Sequence, residues 1–237
     1  MFSALLEPDA ADRAIAVVAA LLANGLDGAL TGGLAIAAHL ALHGRPSERR
    51  PLNDLDFVVE HFASLPSSLG ERFLVNHVHP YAPAGKTLVQ LVDRGHALRV
   101  DLFRAFGETL SRAVTLDSEA GPLRVVSIED LAARTTAYVG RVQRGQPIEA
   151  KHARSFARLE GLGDTHRLEA AWRDHRQDGP EFFVDAVREC AQALMARPDL
   201  VVESEPYDRI RSCDRCENHG TFRLAPADEI VAILGYC

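Results

Sequence analysis

The stretch Asn53-Asp54-Leu55-Asp56-Phe57-Val58-Val59 places two carboxylates at the start of an apolar, β-branched run. A run of this kind is typical of a buried β-strand. Side chains alternate between the two faces of a strand, so Asp54 and Asp56 point the same way. Carboxylates this close repel each other unless a cation lies between them, and a divalent ion such as Mg²⁺ turns the repulsion into binding. The stretch therefore predicts a strand that presents a metal site.

A glycine pair precedes this strand in Thr31-Gly32-Gly33, between a short predicted strand at residues 29–31 and an apolar helix at 34–43. Glycine lets the backbone approach a ligand closely, and the first amides of a helix bind anions. The pair can also be only a tight strand-to-helix turn. Together with the carboxylates downstream, it favours a phosphate-binding turn.

A third segment, Arg99-Val100-Asp101-Leu102-Phe103, has the pattern of another buried strand. Its carboxylate, Asp101, can join Asp54 and Asp56 from a neighbouring strand. Three carboxylates on one side of a sheet suit one or two Mg²⁺ ions, which clamp triphosphate oxygens and activate a hydroxyl.

The order of these segments resembles the nucleotidyltransferase superfamily, and in detail its AbiEii-like branch, which includes toxins of abortive-infection systems. The residues that carry the resemblance lie within about residues 10–160. They are Gly32-Gly33-Leu34-Ala35-Ile36, Arg49-Arg50, the stretch from Asn53 to Val59, and Val126-Ser127-Ile128-Glu129-Asp130-Leu131. The chain departs from the family at Leu52, where Ser or Thr is frequent, and at Arg134, where Lys is frequent.

The resemblance implies transfer of a nucleoside monophosphate from an NTP to an acceptor hydroxyl. It makes Asp54, Asp56 and Asp101 the catalytic ligands of Mg²⁺ or Mn²⁺. The predicted nucleotide-binding residues are Thr31, Gly32, Gly33, Arg50, Asn53 and Lys86, although Arg50 and Lys86 can equally well belong to solvated loops. The acceptor can be a tRNA, a protein or a small molecule such as an aminoglycoside, and a cognate antitoxin or other partner protein is expected. The alternative is a catalytically inactive nucleotidyltransferase-like binding protein with a zinc-stapled tail.

The predicted fold class is α/β, of the α+β kind. A catalytic domain with a small mixed sheet and flanking helices is expected over residues 1–126, a helical region over 127–200 and a Cys-containing tail over 201–237. Besides the segments above, the pattern predicts strands at 86–93, 96–103 and 123–126, and helices at 9–24, 63–69, 128–144, 148–160, 165–175 and 181–196. Ser127 is predicted to cap the helix that follows it.

The tail contains Cys213-Asp-Arg-Cys216, a spacing that presents two thiolates at a turn and is a common half-site for Zn²⁺. His219 and Cys237 are the nearby candidates for the remaining ligands of a structural Zn²⁺. The alternatives are free thiols in a reducing compartment or a redox-labile disulfide.

Composition limits the class of protein. The chain has 237 residues, of which 47% are apolar and 25% charged, and a net charge of -7. That charge disfavours broad, sequence-independent nucleic-acid binding, although many Arg residues lie between 124 and 176. The apolar run at 14–22 is shorter than the ~20 residues a membrane helix needs. We expect a cytoplasmic protein that does not enter membranes.

Overall fold

A mixed, seven-stranded sheet forms the centre of the molecule in the computed structural model, which describes residues 1–45, 48–79, 88–176 and 178–203. The strands are β1 (Gly28–Leu30), β2 (Asp54–Val59), β3 (Phe73–His79), β4 (Leu88–Asp93), β5 (Arg99–Arg104), β6 (Val114–Ser118) and β7 (Gly121–Val125). Their spatial order is β3-β4-β5-β2-β1-β7-β6. The pairs β2–β5 and β1–β7 are parallel and the other neighbours are antiparallel.

The central strands β2 and β5 are buried because their apolar residues face helices and neighbouring strands. Phe57, Val100 and Leu102 are fully or almost fully buried. In the register of the two strands, Asp54 pairs with Arg99 and Asp56 with Asp101. The apolar ends of the strands therefore anchor them in the core, while their polar starts bring four charged side chains together.

Four helices flank the sheet in the N-terminal part: α1 (Phe2–Leu5), α2 (Pro8–Ala23), α3 (Gly32–Leu42) and α4 (Leu69–Arg72). The α2 helix has Pro at its first position, where a missing N–H costs nothing, and it is followed by Gly25 with a positive φ of 78°. Every residue of α3 from Leu34 to Leu40 is buried. The α3 helix therefore passes through the core and starts directly after β1, as the glycine pair predicted.

Helices dominate after the sheet: α5 (Ile128–Val139), α6 (Ala150–Leu159), α7 (Thr165–His175) and α8 (Phe183–Ala196). The short strands β8 (Ile148–Glu149) and β9 (Val201–Val202) pair in parallel beside them. The predicted Ser127 cap is confirmed, because Ser127 Oγ accepts a hydrogen bond of 3.1 Å from Asp130 N. Among the described residues, no helix combines the length and apolar character needed to cross a membrane.

Several predicted elements differ from the observed ones. The helix expected at 63–69 is wrong: a 3₁₀ turn (Phe62–Ser64) and the separate helix α4 take its place. The helix expected at 128–144 becomes 3₁₀ from Gly140 onward, and the one expected at 148–160 begins with the two residues of β8. Each apolar pattern was real, but tertiary contacts decided where the backbone changed conformation.

A buried ionic network fixes the start of α5. Asp130 is fully buried and accepts two hydrogen bonds from Arg112, of 2.9 and 2.8 Å, and His175 Nε2 lies 3.1 Å from its Oδ1. Arg112 also pairs with Asp174 on α7. The network joins the loop after β5 to α5 and α7, so it sets the direction in which α5 leaves the sheet.

Candidate active site

Three carboxylates meet on adjacent strands. Asp54 and Asp56 on β2 and Asp101 on β5 each offer an oxygen that lies within 4.8 Å of the others. Asp101 is buried and the other two are half-buried. The same-face placement follows from the two-residue spacing on β2 and from the parallel register that sets Asp56 beside Asp101. We call these three residues the carboxylate cluster.

Arg99 lies inside the carboxylate cluster, where sequence reasoning had assigned it no role. Its Nη2 donates a 2.7 Å hydrogen bond to Asp54 Oδ2, and its Nε lies 3.0 Å from Asp101 Oδ1. Only 6% of the Arg99 side chain is exposed. The signal was present in the sequence, because residues 99 and 101 are two apart on one strand and must share a face.

Amide side chains support Asp101 from the next strand. Gln90 on β4 is the register partner of Asp101, and its Nε2 donates to Asp101 Oδ2 at 3.4 Å. Asn76 on β3 in turn donates to Gln90 Oε1 at 3.5 Å. Both amides are buried. This chain of long hydrogen bonds orients the Asp101 carboxyl from the side opposite β2.

Burial and mutual repulsion disfavour the ionised carboxylates. Burial, followed by the charge of Asp54, raises the pKa of Asp56 to about 7, although Arg134 and Arg99 act in the opposite direction. Burial raises the pKa of Asp101 to about 8, and Arg99 offsets part of the rise. Ionisation of these carboxyls is therefore costly, and a bound cation would relieve that cost.

The start of α3 lies against Asp56. Thr31 N donates a 2.8 Å hydrogen bond to the backbone oxygen of Asp56. Gly32 has φ +69°, and a Cβ there would overlap the Asp56 carboxylate. A Cβ at Gly33 would lie 2.6 Å from Arg50 Nη1. The positive φ and the contact with Asp56 therefore require Gly32, whereas a Cβ at Gly33 would meet the movable end of the Arg50 side chain. The first turn of α3 lies between a carboxylate and a guanidinium.

Positive charges reach the carboxylate cluster from the helical half. Arg134 on α5 donates a 3.2 Å hydrogen bond to Thr31 Oγ1, and its guanidinium lies over the Phe103 ring, 5.2 Å from the centroid. Lys151 on α6 pairs with Glu149 at 2.9 Å. Arg134 and Lys151 both lower the pKa of Asp56, so their charges act at the cluster. Carboxylates with cations beside them suit a metal-bound polyphosphate.

The carboxylate cluster fits a hard divalent cation. Three carboxylate oxygens in mutual reach are the ligand type that Mg²⁺ and Mn²⁺ prefer. Asp101 Oδ1 is buried and accepts no aligned hydrogen bond from the described residues, so it has a lone pair to offer. Asp54, Asp56 and Asp101 would hold the ion.

The remaining predicted site residues divide into two groups. Asn53 is exposed and immediately precedes β2, and Thr31 is buried at the start of α3. Lys86, Cys213, Cys216, His219 and Cys237 lie outside the described residues, so the zinc site stays a prediction. Within the part of the chain that is described, the carboxylate cluster is the one group of three or more His, Cys, Asp or Glu residues arranged to hold a metal.

Several solved structures are similar to the chain. One is an antigenic nucleotidyltransferase-like protein from Paracoccidioides brasiliensis, with 16% identity, a TM-score of 0.44, and coverage of 84% of this chain and 96% of that one. Another is the antibiotic-resistance factor ANT(2'')-Ia, with 15% identity, a TM-score of 0.45, and coverage of 79% and 98%. No protein-family model matches the chain, and no curated protein matches its sequence.

Proposed function

We propose that the protein is a divalent-metal-dependent nucleotidyltransferase that moves a nucleoside monophosphate from an NTP to an acceptor hydroxyl. The observation that carries this proposal is the carboxylate cluster, whose oxygens lie within 4.8 Å of one another directly beside the first turn of α3. Carboxylates for a metal and helix amides for a phosphate are the two requirements for handling a nucleoside triphosphate.

Each part of the site has a task in this reaction. The amides of Gly32 and Gly33 bind phosphate oxygens, and Arg134 and Lys151 add positive charge. A Mg²⁺ or Mn²⁺ ion, when bound, supplies charge that polarises the phosphates. The acceptor oxygen bonds to the α-phosphorus as the bond to the bridging oxygen breaks and pyrophosphate leaves. Asp101 would complete the metal site and help to deprotonate the acceptor hydroxyl.

The charge around the cluster bears on the acceptor. Arg134 and Lys151 act electrostatically on Asp56, and Arg50 lies against Gly33; Lys151 is exposed and the two arginines are half-buried. A cationic acceptor such as an aminoglycoside would meet these charges unfavourably, whereas a tRNA end would meet them favourably. We therefore rank a tRNA first, a protein side chain second and an aminoglycoside third. We also propose that the protein is an AbiEii-like toxin that acts with a cognate antitoxin.

The test is a transfer assay with Mg²⁺, each labelled NTP, and total tRNA, the protein itself or an aminoglycoside panel as acceptor. The variants are Asp54→Asn/Asp56→Asn and, as a matched control, Asp117→Asn, an exposed carboxylate on β6. We expect label transfer by the wild type and the control and none by the double variant. An absence of both transfer and Mg²⁺-dependent nucleotide binding would favour the inactive binding protein instead.

A further inference from the structure

We propose that Arg99 is a built-in counter-cation of the carboxylate cluster, and that it competes with the divalent ion for Asp54 and so weakens metal binding. The proposal rests on the proposed function for its metal site. It assigns the guanidinium a task that the three carboxylates alone do not reveal, namely to keep the cluster together when no ion is bound.

Geometry is the first support. In the register of β2 and β5, Asp54 stands opposite Arg99 and Asp56 opposite Asp101, so the four side chains form a square on one face of the sheet. The guanidinium bonds Asp54 Oδ2 at 2.7 Å and lies 3.0 Å from Asp101 Oδ1. Arg99 therefore contacts two of the three carboxylates that would hold a metal.

Charge is the second support. Ionised, the three carboxylates and the one guanidinium of the square leave two negative charges, which a single divalent ion neutralises. Removing Arg99 would leave three carboxylates that are held close by the strands and only partly solvated, which is unfavourable for the protein without metal. The same removal would increase the attraction of the cluster for a cation.

The two contacts of Arg99 are unequal. The contact to Asp54 is an aligned hydrogen bond, whereas Asp101 Oδ1 accepts no aligned hydrogen bond from the described residues. An entering ion can therefore bind Asp101 first and must then displace the guanidinium from Asp54. An arginine does not lose its proton, so this release requires movement of the side chain.

The experiment measures Mn²⁺ binding by calorimetry without nucleotide, together with thermal unfolding in EDTA and in Mn²⁺. The variants are Arg99→Gln, Arg99→Lys and the matched control Arg104→Gln, an exposed arginine on the same strand. For Arg99→Gln we expect Mn²⁺ affinity to rise about tenfold or more, the melting temperature in EDTA to fall, and the Mn²⁺-induced shift to grow. Arg99→Lys, which keeps the charge, and Arg104→Gln are expected to bind Mn²⁺ as the wild type does.

Unchanged or weaker Mn²⁺ binding by Arg99→Gln, with normal binding by the wild type, would overturn this proposal alone. No Mn²⁺ binding by either protein would overturn it together with the metal part of the proposed function. If Arg99→Gln does not fold, the test uses the wild type and follows the Nε–Hε NMR resonance of Arg99. The resonance is assigned by its absence from the spectrum of Arg99→Lys. That resonance is expected to shift on addition of Mg²⁺, and a resonance that stays in place would refute the competition.

Discussion

Asp56 and Asp101 lie side by side on the parallel strands β2 and β5 as direct register partners. Their pKa values are raised, to about 7 for Asp56 and about 8 for Asp101, chiefly because both carboxyls are buried. The pair is thus poorly solvated in the ionised form that a metal ligand requires. A bound cation would compensate this cost, and Arg99 supplies part of that compensation.

This pair gives the protein without metal an unusual pH dependence. A carboxyl whose folded-state pKa is raised binds a proton more tightly in the folded than in the unfolded state, so its contribution to stability is lost as pH rises from ~4 through the folded-state pKa. In EDTA, we expect the urea midpoint to fall between pH 5 and ~8. Saturating Mn²⁺ should reduce that fall, and Asp56→Asn should flatten it. A midpoint that rises over this range in EDTA would contradict the placement of the pair.

The Gly32→Ala substitution tests the close approach of α3 to Asp56. Gly32 has φ +69°, and a Cβ would overlap the Asp56 carboxylate. Gly44 is the matched control, because it has φ +70° but nothing within 4 Å of the added Cβ. We expect Gly44→Ala to lower the free energy of unfolding by about 1 kcal/mol through backbone strain alone, and Gly32→Ala by about 2–4 kcal/mol with loss of NTP binding. Equal losses in the two variants would show that overlap plays no part.

Asp130→Asn tests the ionic network at the start of α5. Asp130 is fully buried and binds Arg112 through both oxygens. Removing one partner of a buried pair leaves the other charge poorly compensated, here with Asp174 as the remaining carboxylate partner of Arg112 among the described residues, so we expect a loss of about 3–5 kcal/mol in the free energy of unfolding. The control is Asp185→Asn, which breaks the exposed Asp185–Arg188 pair and should cost less than about 1 kcal/mol. Denaturant unfolding measures both losses of free energy. Comparable losses would show that the buried network stabilises the fold no more than an exposed ion pair does.

Protonation of Asp93 in acid is expected to weaken its contacts with Arg72, just before β3, and with His96, between β4 and β5. Burial alone would raise the pKa of Asp93, but hydrogen bonds from Arg72 and His96 outweigh it and hold the pKa below its usual range. A lowered folded-state pKa means stability that is present above ~4 and lost as pH falls below it. Arg72→Gln should therefore destabilise the protein at pH 7 and reduce its further loss of stability between pH ~4 and 3. If Arg72→Gln loses stability between pH ~4 and 3 as steeply as the wild type does, the contact with Arg72 does not cause the acid sensitivity of the protein.

Local patterns predicted much of the fold where burial and backbone chemistry agree. The helix expected at 165–175 has those bounds, because Asp164 caps its first turn with a side-chain hydrogen bond and Gly and Pro lie outside it. Strand β6 was missed because its residues alternate only between half-buried and exposed, as expected at a sheet edge. Strand β3 was missed because Asn76 and His77 interrupt its apolar pattern.

The sequence by itself determined that Asp54 and Asp56 share a face and that a glycine turn starts α3, since both depend on spacing within a few residues. Only the tertiary structure decided that Arg99, 45 residues after Asp54, stands opposite it. Strand register and helix direction arise from packing between distant segments, and no local period encodes them. For the same reason the sequence supplied the carboxylates, whereas the fold selected the cations that surround them.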